Sequence, residues 1–326
     1  MSTTSETTIS GPAGSAAEAG RSTPRRAERR FWPTRRERRN ILVGLLFISP
    51  WLFGFFAFLV YPILYTIRIS FQRVPDFGPA TNIGWANYQR LLDDANFSNA
   101  IFNTFVYTAL AVPIGAVVAM VLALAMNQPL GEIPIYRVIL YLPSVLPVFA
   151  LSFIAITLLD PTQGIVNEFL RLLGFSPPNW FGSTTWAKPA IVAMAQFGAG
   201  QIALVYLAGL KGIPQHLYEA AMLDGAGAWN RFRNVTLPLM TPVILYDVIL
   251  GVSEGLQVFT QAFIITGGGP ANSTNFYVFY LYNNAFRYSG SGGYAAAMSM
   301  VLFLVTFVIA ALVFRTSRRW VHYEMN

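Results

Sequence analysis

The chain has 326 residues, of which 54% are hydrophobic and only 11% are charged. Soluble domains carry about 25% charged residues, so this composition excludes an ordinary soluble protein and indicates a membrane protein. The net charge of +7 is explained by basic residues near the membrane boundaries, which argues against nucleic-acid binding.

Residues 1–40 are predicted to form a disordered, Arg-rich tail. Residues 1–24 are rich in Ser, Thr, Ala and Gly and have no apolar periodicity, and nine arginines lie between Arg21 and Arg39. The tail is not predicted to be a signal peptide, because the apolar segment after it is about 29 residues long and has no small-residue cleavage site.

Six segments are long and apolar enough to cross a membrane, which takes about 18–20 residues. They lie at about 41–69, 102–126, 137–159, 189–210, 240–265 and 294–314. The sequence therefore predicts an all-α polytopic membrane protein, with a six-helix transmembrane domain over residues 41–315 and a short cytoplasmic tail over residues 316–326.

The distribution of basic residues predicts the orientation of the chain, because Lys and Arg in short flanking segments resist translocation. Sixteen basic residues lie on the side of the termini and five on the other side. An even number of spans places both termini on one side, so we expect both to be cytoplasmic.

Several predicted spans contain proline, including Pro143 and Pro147 in the third and Pro242 in the fifth. Proline removes a backbone donor and bends a helix. Bent helices suit a path through protein, but proline is also common in ordinary membrane helices, and the sequence leaves both interpretations open.

Two segments between spans have patterns of their own. In GIVNEFLRLLGF, residues 164–175, the apolar side chains fall on one helical face, which predicts a short helix lying in the membrane interface. The segment TGGGPANST, residues 266–274, lacks the lysine and the preceding strand of a phosphate-binding loop. We predict a tight turn there.

The chain offers no catalytic, cofactor-binding or metal site by sequence. Neither Lys188 nor Lys211 follows a glycine, which excludes a GxxxxGK[ST] loop. Ser253 lies in a G-x-S-x-G pattern, but inside an apolar span and away from His216 and His322, the two histidines of the chain. With no cysteine, disulfides, thiolate catalysis and Cys-ligated metals are excluded.

The fifth span carries a stripe of polar side chains. At roughly 100° per residue, Asp247, Glu254, Gln257 and Gln261 share one helical face, with Tyr246 at its edge. Ionised carboxylates deep in lipid each cost about 2.5–3.5 kcal/mol, so the stripe is expected to face protein or a wet cavity. We interpret it as a candidate lining for a substrate path.

Carboxylate, amide and aromatic groups together suit a neutral polyhydroxylated ligand, whose hydroxyls need both acceptors and donors. In the fourth span Gln196, Gln201 and Tyr206 add similar groups. Two alternatives remain open: a polar contact with a neighbouring subunit, and an ion path that would explain the carboxylates alone.

The segment between the fourth and fifth spans predicts a helix-turn-helix elbow. Pro214 can begin a short helix that runs to about Leu223, and Gly225 permits a left-handed turn after it. A second short helix through Trp229 and Phe232 would lead to the fifth span. Glu219 and Asp224 would be exposed acidic side chains on the cytoplasmic face.

This elbow resembles the EAA loop of membrane subunits from binding-protein-dependent ABC importers. The resemblance is carried by Glu219-Ala220-Ala221, Asp224-Gly225-Ala226, Phe232, Leu237-Pro238 and Pro242. Four further segments are similar to the first-permease subunits of maltose, lactose and glycerol-phosphate importers: YRVILYLPSVLP, GIVNEFLRLLG, QVFTQAFIITGGGP and GGYAAAMSMVLFL. Together they cover about residues 40–315.

The resemblance implies a permease of the bacterial cell membrane that works with partners. It would pair with a second permease, preferably a different chain, and rest on two cytoplasmic ATPase subunits that bind ATP and Mg. An extracytoplasmic binding protein would deliver the sugar. The chain itself would bind no cofactor and would not be an enzyme.

In that family the EAA segment is a coupling helix that docks in a cleft of the ATPase. Carried over to this sequence, Glu219 would contact a basic residue of the ATPase, beside Asp224. Ala220 and Ala221 would form the close-packing face, and Gly225 the turn.

Three alternatives to a sugar permease stay open at this point. The first is an ABC importer permease for another cargo, such as a polyamine or a phosphate ester. The second is an ion-coupled secondary transporter, which would work without an ATPase and should show an inverted repeat. An intramembrane enzyme is a more distant third.

Overall fold

The computed structural model describes residues 35–128 and 133–322. Most of the predicted Arg-rich tail lies outside the described residues, and its last residues, 35–40, are helical. The chain divides into a unit that ends at Leu59 and a second unit from Val60 to Asn326.

The described part of the first unit is one helix, α1 (Arg35–Phe55), which contains Pro50. A π-helical turn at Phe56–Val60 follows it. Large apolar side chains of α1, such as Phe47 and Trp51, are exposed, as expected for a helix that lies in lipid or against another chain.

The second unit is almost entirely helical in its described part. A short antiparallel pair, β1 (Gln72–Arg73) and β2 (Thr81–Asn82), is the exception. The helices are α2 (Tyr61–Ser70), α3 (Ala86–Asp93), α4 (Ala95–Met126), α5 (Ile133–Val145), α6 (Val148–Leu158), α7 (Ile165–Leu172), α8 (Ala187–Ala195), α9 (Ala199–Gly212), α10 (Gln215–Leu223), α11 (Ala228–Arg231), α12 (Leu237–Leu256), α13 (Tyr277–Phe286) and α14 (Gly292–Ser317).

The predicted all-α membrane fold is confirmed. Within the described residues, five helical segments are long and apolar enough to span a membrane, and the pair α5–α6 makes a sixth if it counts as one span. The five are Arg39–Ser70, Ala95–Met126, Ala187–Gly212, Ala228–Leu256 and Gly292–Ser317.

The third span is not the single helix that was predicted over 137–159. Its two halves, α5 and α6, are bent by 97° at the break between them. Pro147 precedes α6 with extended backbone angles, φ −58° and ψ 144°, and Pro143 lies inside α5. The two prolines remove backbone donors four residues apart, which explains why the helix breaks there.

The fifth span also differs from its prediction. The segment from Ala228 to Leu256 is continuous, so the second short helix of the elbow runs directly into the span, through a π-helical turn at Phe232–Thr236. At its other end α12 stops at Leu256 instead of reaching residue 265. Gly251 and Gly255 lower the helix propensity of this end.

Helix α4 is central to the packing and contacts α9 and α12. Small side chains let these helices approach closely, as is common between membrane helices. The buried core between them contains Ala119 and Ala123 of α4, Ala203 and Tyr206 of α9, and Met240 of α12.

The segments between spans are more structured than predicted. Helices α3 and α13 had no sequence prediction, whereas α7 confirms the short helix expected in residues 164–175. The tight turn expected in residues 266–274 is also present, with Gly267 and Gly268 at φ +58° and +86°. Asn103 of α4 donates a 2.8 Å hydrogen bond to the carbonyl of Asn272, which fixes this turn against the bundle.

Candidate functional site

A cavity of about 940 Å³ lies among α4, the break between α5 and α6, the α8–α9 segment and α12. Its polar wall comprises Ser144, Gln196, Gln201, Tyr246, Asp247, Glu254, Gln257, Thr260 and Gln261. Tyr107, glycines and apolar side chains, among them Phe259, form the rest. The cavity is large enough for a small organic ligand, since typical ligand pockets measure about 300–1,000 Å³.

All five residues predicted for a substrate path line this cavity: Tyr246, Asp247, Glu254, Gln257 and Gln261. The prediction that they share one face of a single helix was partly wrong. Helix α12 ends at Leu256, and Gln261 lies beyond this helix end. The chain continues along the same cavity after the break, so the side chains still converge. Their role in binding stays a prediction.

Asp247 and Glu254 differ in their surroundings. The Tyr206 hydroxyl of α9 donates a 2.7 Å hydrogen bond to Asp247 Oδ2. The Tyr206 side chain is fully buried, so it holds the half-buried Asp247 in place. Glu254 is exposed to the cavity, and its carboxylate is therefore free to meet a ligand.

The broken third span forms part of the opposite wall. Gln201 Nε2 donates to the carbonyl of Ser144 at 3.3 Å, which ties α9 to the end of α5. A Cβ on Gly200 would lie 3.0 Å from the Leu140 carbonyl oxygen and from Ser144 Oγ, so only glycine allows this approach without displacing them.

The cavity is also lined by Ser144, Leu146 and Pro147, which the sequence pattern did not predict. Irregular backbone at membrane depth is tolerated where it lines a cavity. The spacing of Pro143 and Pro147 was the available signal, but it predicts a bend without giving its angle. No group of three or more metal-ligating side chains occurs in the part of the chain that the structure describes.

The elbow has the predicted first helix and turn. Helix α10 follows Pro214 and ends at Leu223, and Gly225 has φ +76°. The amide of Ala226 donates to the carbonyl of Ala221 at 2.9 Å, which closes the helix end in the manner of a glycine C-cap.

The side chains of the elbow are mostly open to solvent. Glu219, Ala220 and Asp224 are exposed, and Ala221 is half-buried. Leu223 is 90% exposed at the end of α10. An exposed apolar side chain beside acidic ones is typical of a protein-binding surface when it forms part of a patch.

The elbow is linked to the fifth span by more than the chain itself. The hydroxyls of Tyr218 on α10 and Thr236 just before α12 are 2.9 Å apart, and Thr236 is buried. Helix α12, which follows Thr236, carries Asp247 and Glu254, so this contact joins α10 to the helix that forms one wall of the cavity.

Comparison with known proteins agrees with this architecture. Residues 96–322 match the family model of the binding-protein-dependent transport system inner membrane component. The chain belongs to this family. Membership confirms the resemblance drawn from the EAA loop and identifies the protein as a transport permease of an inner membrane.

Individual relatives cover most of this permease. The probable ABC transporter permease protein YesP of Bacillus subtilis (strain 168) is 33% identical, over 88% of this chain and 94% of its own. The lactose transport system permease protein LacF of Rhizobium radiobacter is 34% identical, over 84% and 94%. A crystal structure of a bacterial ABC transporter that imports the acidic polysaccharide alginate covers 86% of this chain and 96% of the other, with 25% identity and a TM-score of 0.74.

Proposed function

We propose that this permease moves a sugar, either a monosaccharide or an oligosaccharide, across the bacterial cell membrane as a subunit of an ABC importer. The observation that carries the proposal is the cavity in which Asp247, Glu254, Gln257 and Gln261 converge with Gln201. Carboxylates accept hydrogen bonds from hydroxyls, and amides both donate and accept. The names of the lactose and alginate transporters point to the same class of cargo.

The importer needs partners that this chain does not supply. The proposed partners are a second permease that is a different chain, two ATPase subunits that hold ATP and Mg, and an extracytoplasmic sugar-binding protein. Dependence on a binding protein is a feature of the family. The many exposed apolar side chains of the helices are consistent with lipid and a second permease around them.

Coupling to the ATPases is assigned to α10. Glu219 and Asp224 are exposed, and a basic residue about 4 Å from Glu219 would contribute roughly 4 kcal/mol at an effective dielectric of 20, before desolvation is subtracted. Leu223 and Ala220 would pack against the cleft of the ATPase. Both chain termini and α10 would then lie in the cytoplasm.

The proposed transport cycle uses the link between α10 and α12. Closure of the ATPases on ATP would rock the elbow, and the Tyr218–Thr236 contact would pass the motion to α12. The cavity would open toward the binding protein in this state, and hydrolysis would return it to face the cytoplasm.

Uptake by intact cells tests the proposal. Deletion of the gene should abolish accumulation of one radiolabelled sugar, and the wild-type gene should restore it. The binding protein encoded beside it should bind the same sugar in calorimetry. Unchanged uptake of every sugar, together with a non-sugar ligand for that binding protein, would contradict the assignment.

A further inference from the structure

The charges that line the cavity are all of one sign. Asp247 and Glu254 are its two ionisable carboxylates, and no Lys, Arg or His is among the described residues that line it. The remaining polar groups are amides, hydroxyls and backbone, which are neutral. This wall of the cavity therefore carries a net negative charge.

Neither carboxylate forms an ion pair with any residue that the structure describes. The hydrogen-bond partner of Asp247 is the neutral phenol of Tyr206. Within residues 35–128 and 133–322, the one ion pair joins Arg171 to Glu168, both on α7, which does not line the cavity. The carboxylate of Glu254, which is exposed to the cavity, thus acts on whatever occupies the cavity, with Asp247 in the same wall.

Such a wall discriminates between ligands by charge. A cleft lined by one sign of charge between low-dielectric helices concentrates the opposite sign and repels its own. An acidic ligand would lose its hydration without gaining a cationic partner, which is unfavourable. A hydroxyl or an amino group, by contrast, can donate to either carboxylate.

We infer that this permease admits sugars without acidic groups, including amino sugars, and rejects uronates and sulfated or phosphorylated sugars. The inference rests on the proposed sugar transport and names its substrate class. A similar fold serves an importer of the acidic polysaccharide alginate, so the fold alone does not select the charge. The selection lies in the side chains of the wall, above all Asp247 and Glu254.

The first test uses the complete importer in proteoliposomes with ATP. The sugar is the ligand of the importer's binding protein, identified by calorimetry. We expect a transported sugar with no carboxylate, sulfate or phosphate group. A transported acidic sugar would overturn the inference while supporting the proposed function, whereas transport of no sugar would refute the proposed function itself.

The second test asks whether the carboxylates are the cause. Initial uptake rates are compared for the sugar and for its uronate analogue, in which a primary alcohol is oxidised to a carboxylate. Both are supplied at concentrations that saturate the binding protein, so the difference arises in the membrane subunits. The wild type should transport the analogue at least tenfold more slowly.

Two variants and a control complete the test. Glu254→Gln and Asp247→Asn remove one negative charge each without changing side-chain size. In each variant the ratio of the sugar's uptake rate to the analogue's uptake rate should fall at least threefold below the wild-type value. Asp93→Asn removes an exposed carboxylate of α3, outside the cavity, and should leave the ratio as in the wild type. A ratio that is the same in all four proteins would show that the carboxylates do not select by charge.

Discussion

Asp94 accepts four hydrogen bonds just before α4 begins. The hydroxyls of Tyr280 and Tyr294 each donate to Asp94 Oδ2 at 2.6 Å. The amides of Asn96 and Phe97 donate to Oδ1 at 2.9 and 3.3 Å. One side chain therefore caps α4, which accounts for its start at Ala95 instead of the predicted residue 102, and ties it to α13 and α14.

These contacts set the pKa of the Asp94 carboxyl. Burial raises the pKa of Asp94, but the hydrogen bonds from Tyr280, Tyr294 and the two amides outweigh it, so the pKa lies below its ordinary value. Burial, with the bond to Asp94, raises the pKa of Tyr280 to about 12. Tyr280 therefore stays protonated and remains a donor.

Asp94→Asn is expected to lower the free energy of unfolding by about 1–3 kcal/mol at pH 7, because the tyrosine donors lose their charged acceptor. A lowered pKa contributes stability that is complete above the ordinary value and is lost as the pH falls through the folded-state value. The difference between wild type and variant should therefore shrink below about pH 4.

Thermal unfolding of the detergent-solubilised protein measures this difference. Asp93→Asn is the matched control, since Asp93 is the exposed neighbour on α3. Equal melting temperatures for wild type and Asp94→Asn at pH 7 would show that the four contacts do not stabilise the fold.

The cavity side chains give a second prediction. Glu254→Leu and Gln257→Leu should each reduce sugar uptake roughly tenfold, through lost hydrogen bonds to the ligand, and should leave assembly with the partner subunits intact. Gln89→Leu, at an exposed position of α3 outside the cavity, is the control. Uptake kinetics equal to those of the wild type would remove Glu254 and Gln257 from the substrate path.

The sequence pattern predicted the cavity side chains of α12 but not those at the break between α5 and α6. Asp247 and Glu254 stood out because carboxylates are rare and costly in a span. Ser144 and Leu146 could not be found in this way, since their place in the wall depends on the bend between α5 and α6. The Tyr206–Asp247 bond joins two helices and has no signature in either alone.

Helix α10 and its turn form the proposed coupling element, and two glycines beside it make a controlled comparison possible. Gly225 has φ +76°, whereas Gly227 has φ −66°. A Cβ added at either position would meet nothing within 4 Å. Neither alanine would therefore clash, and the two positions differ in the sign of φ.

Gly225→Ala should strain the turn by about 1–2 kcal/mol, because a left-handed conformation is unfavourable for residues with a Cβ. We expect a lower ratio of sugar transported to ATP hydrolysed in Gly225→Ala and a normal ratio in Gly227→Ala. Identical ratios in the two variants would show that the left-handed turn is not needed for coupling.

Glu219→Lys tests the acidic contact of the same helix. The side chain is exposed, so membrane insertion and folding should be unaffected, but repulsion from a basic residue of the ATPase should weaken co-purification of the two subunits. Asp93→Lys reverses an exposed charge outside α10 and is the control. Normal co-purification and normal transport by Glu219→Lys would refute the docking role.

Short helices such as α10 and α7 were predictable because proline, glycine and an amphipathic period mark their ends and faces locally. The break of the third span and the early end of the fifth were not predictable. A helix that loses backbone donors persists or breaks according to whether neighbouring helices supply hydrogen-bond partners for the freed backbone groups. The close approach of Gly200 to Leu140 and Ser144 is such a contact between neighbouring helices.

Across the whole chain, hydrophobicity alone predicted six membrane segments in the correct order, because each must be apolar over about 20 residues. The division of the chain near Leu59 had no such signal. Long apolar helices with exposed side chains, as in α1, are as expected for a chain surrounded by lipid or by other subunits.

This permease is proposed to import sugar with energy from ATP that partner subunits hydrolyse. The most direct measurement is sugar accumulation in proteoliposomes that contain the permease, its partner permease and the two ATPases, with the binding protein outside and ATP inside. Accumulation should require ATP and stop with a non-hydrolysable analogue. Accumulation driven by an ion gradient, without the ATPase subunits or ATP, would show that the chain is an ion-coupled transporter instead.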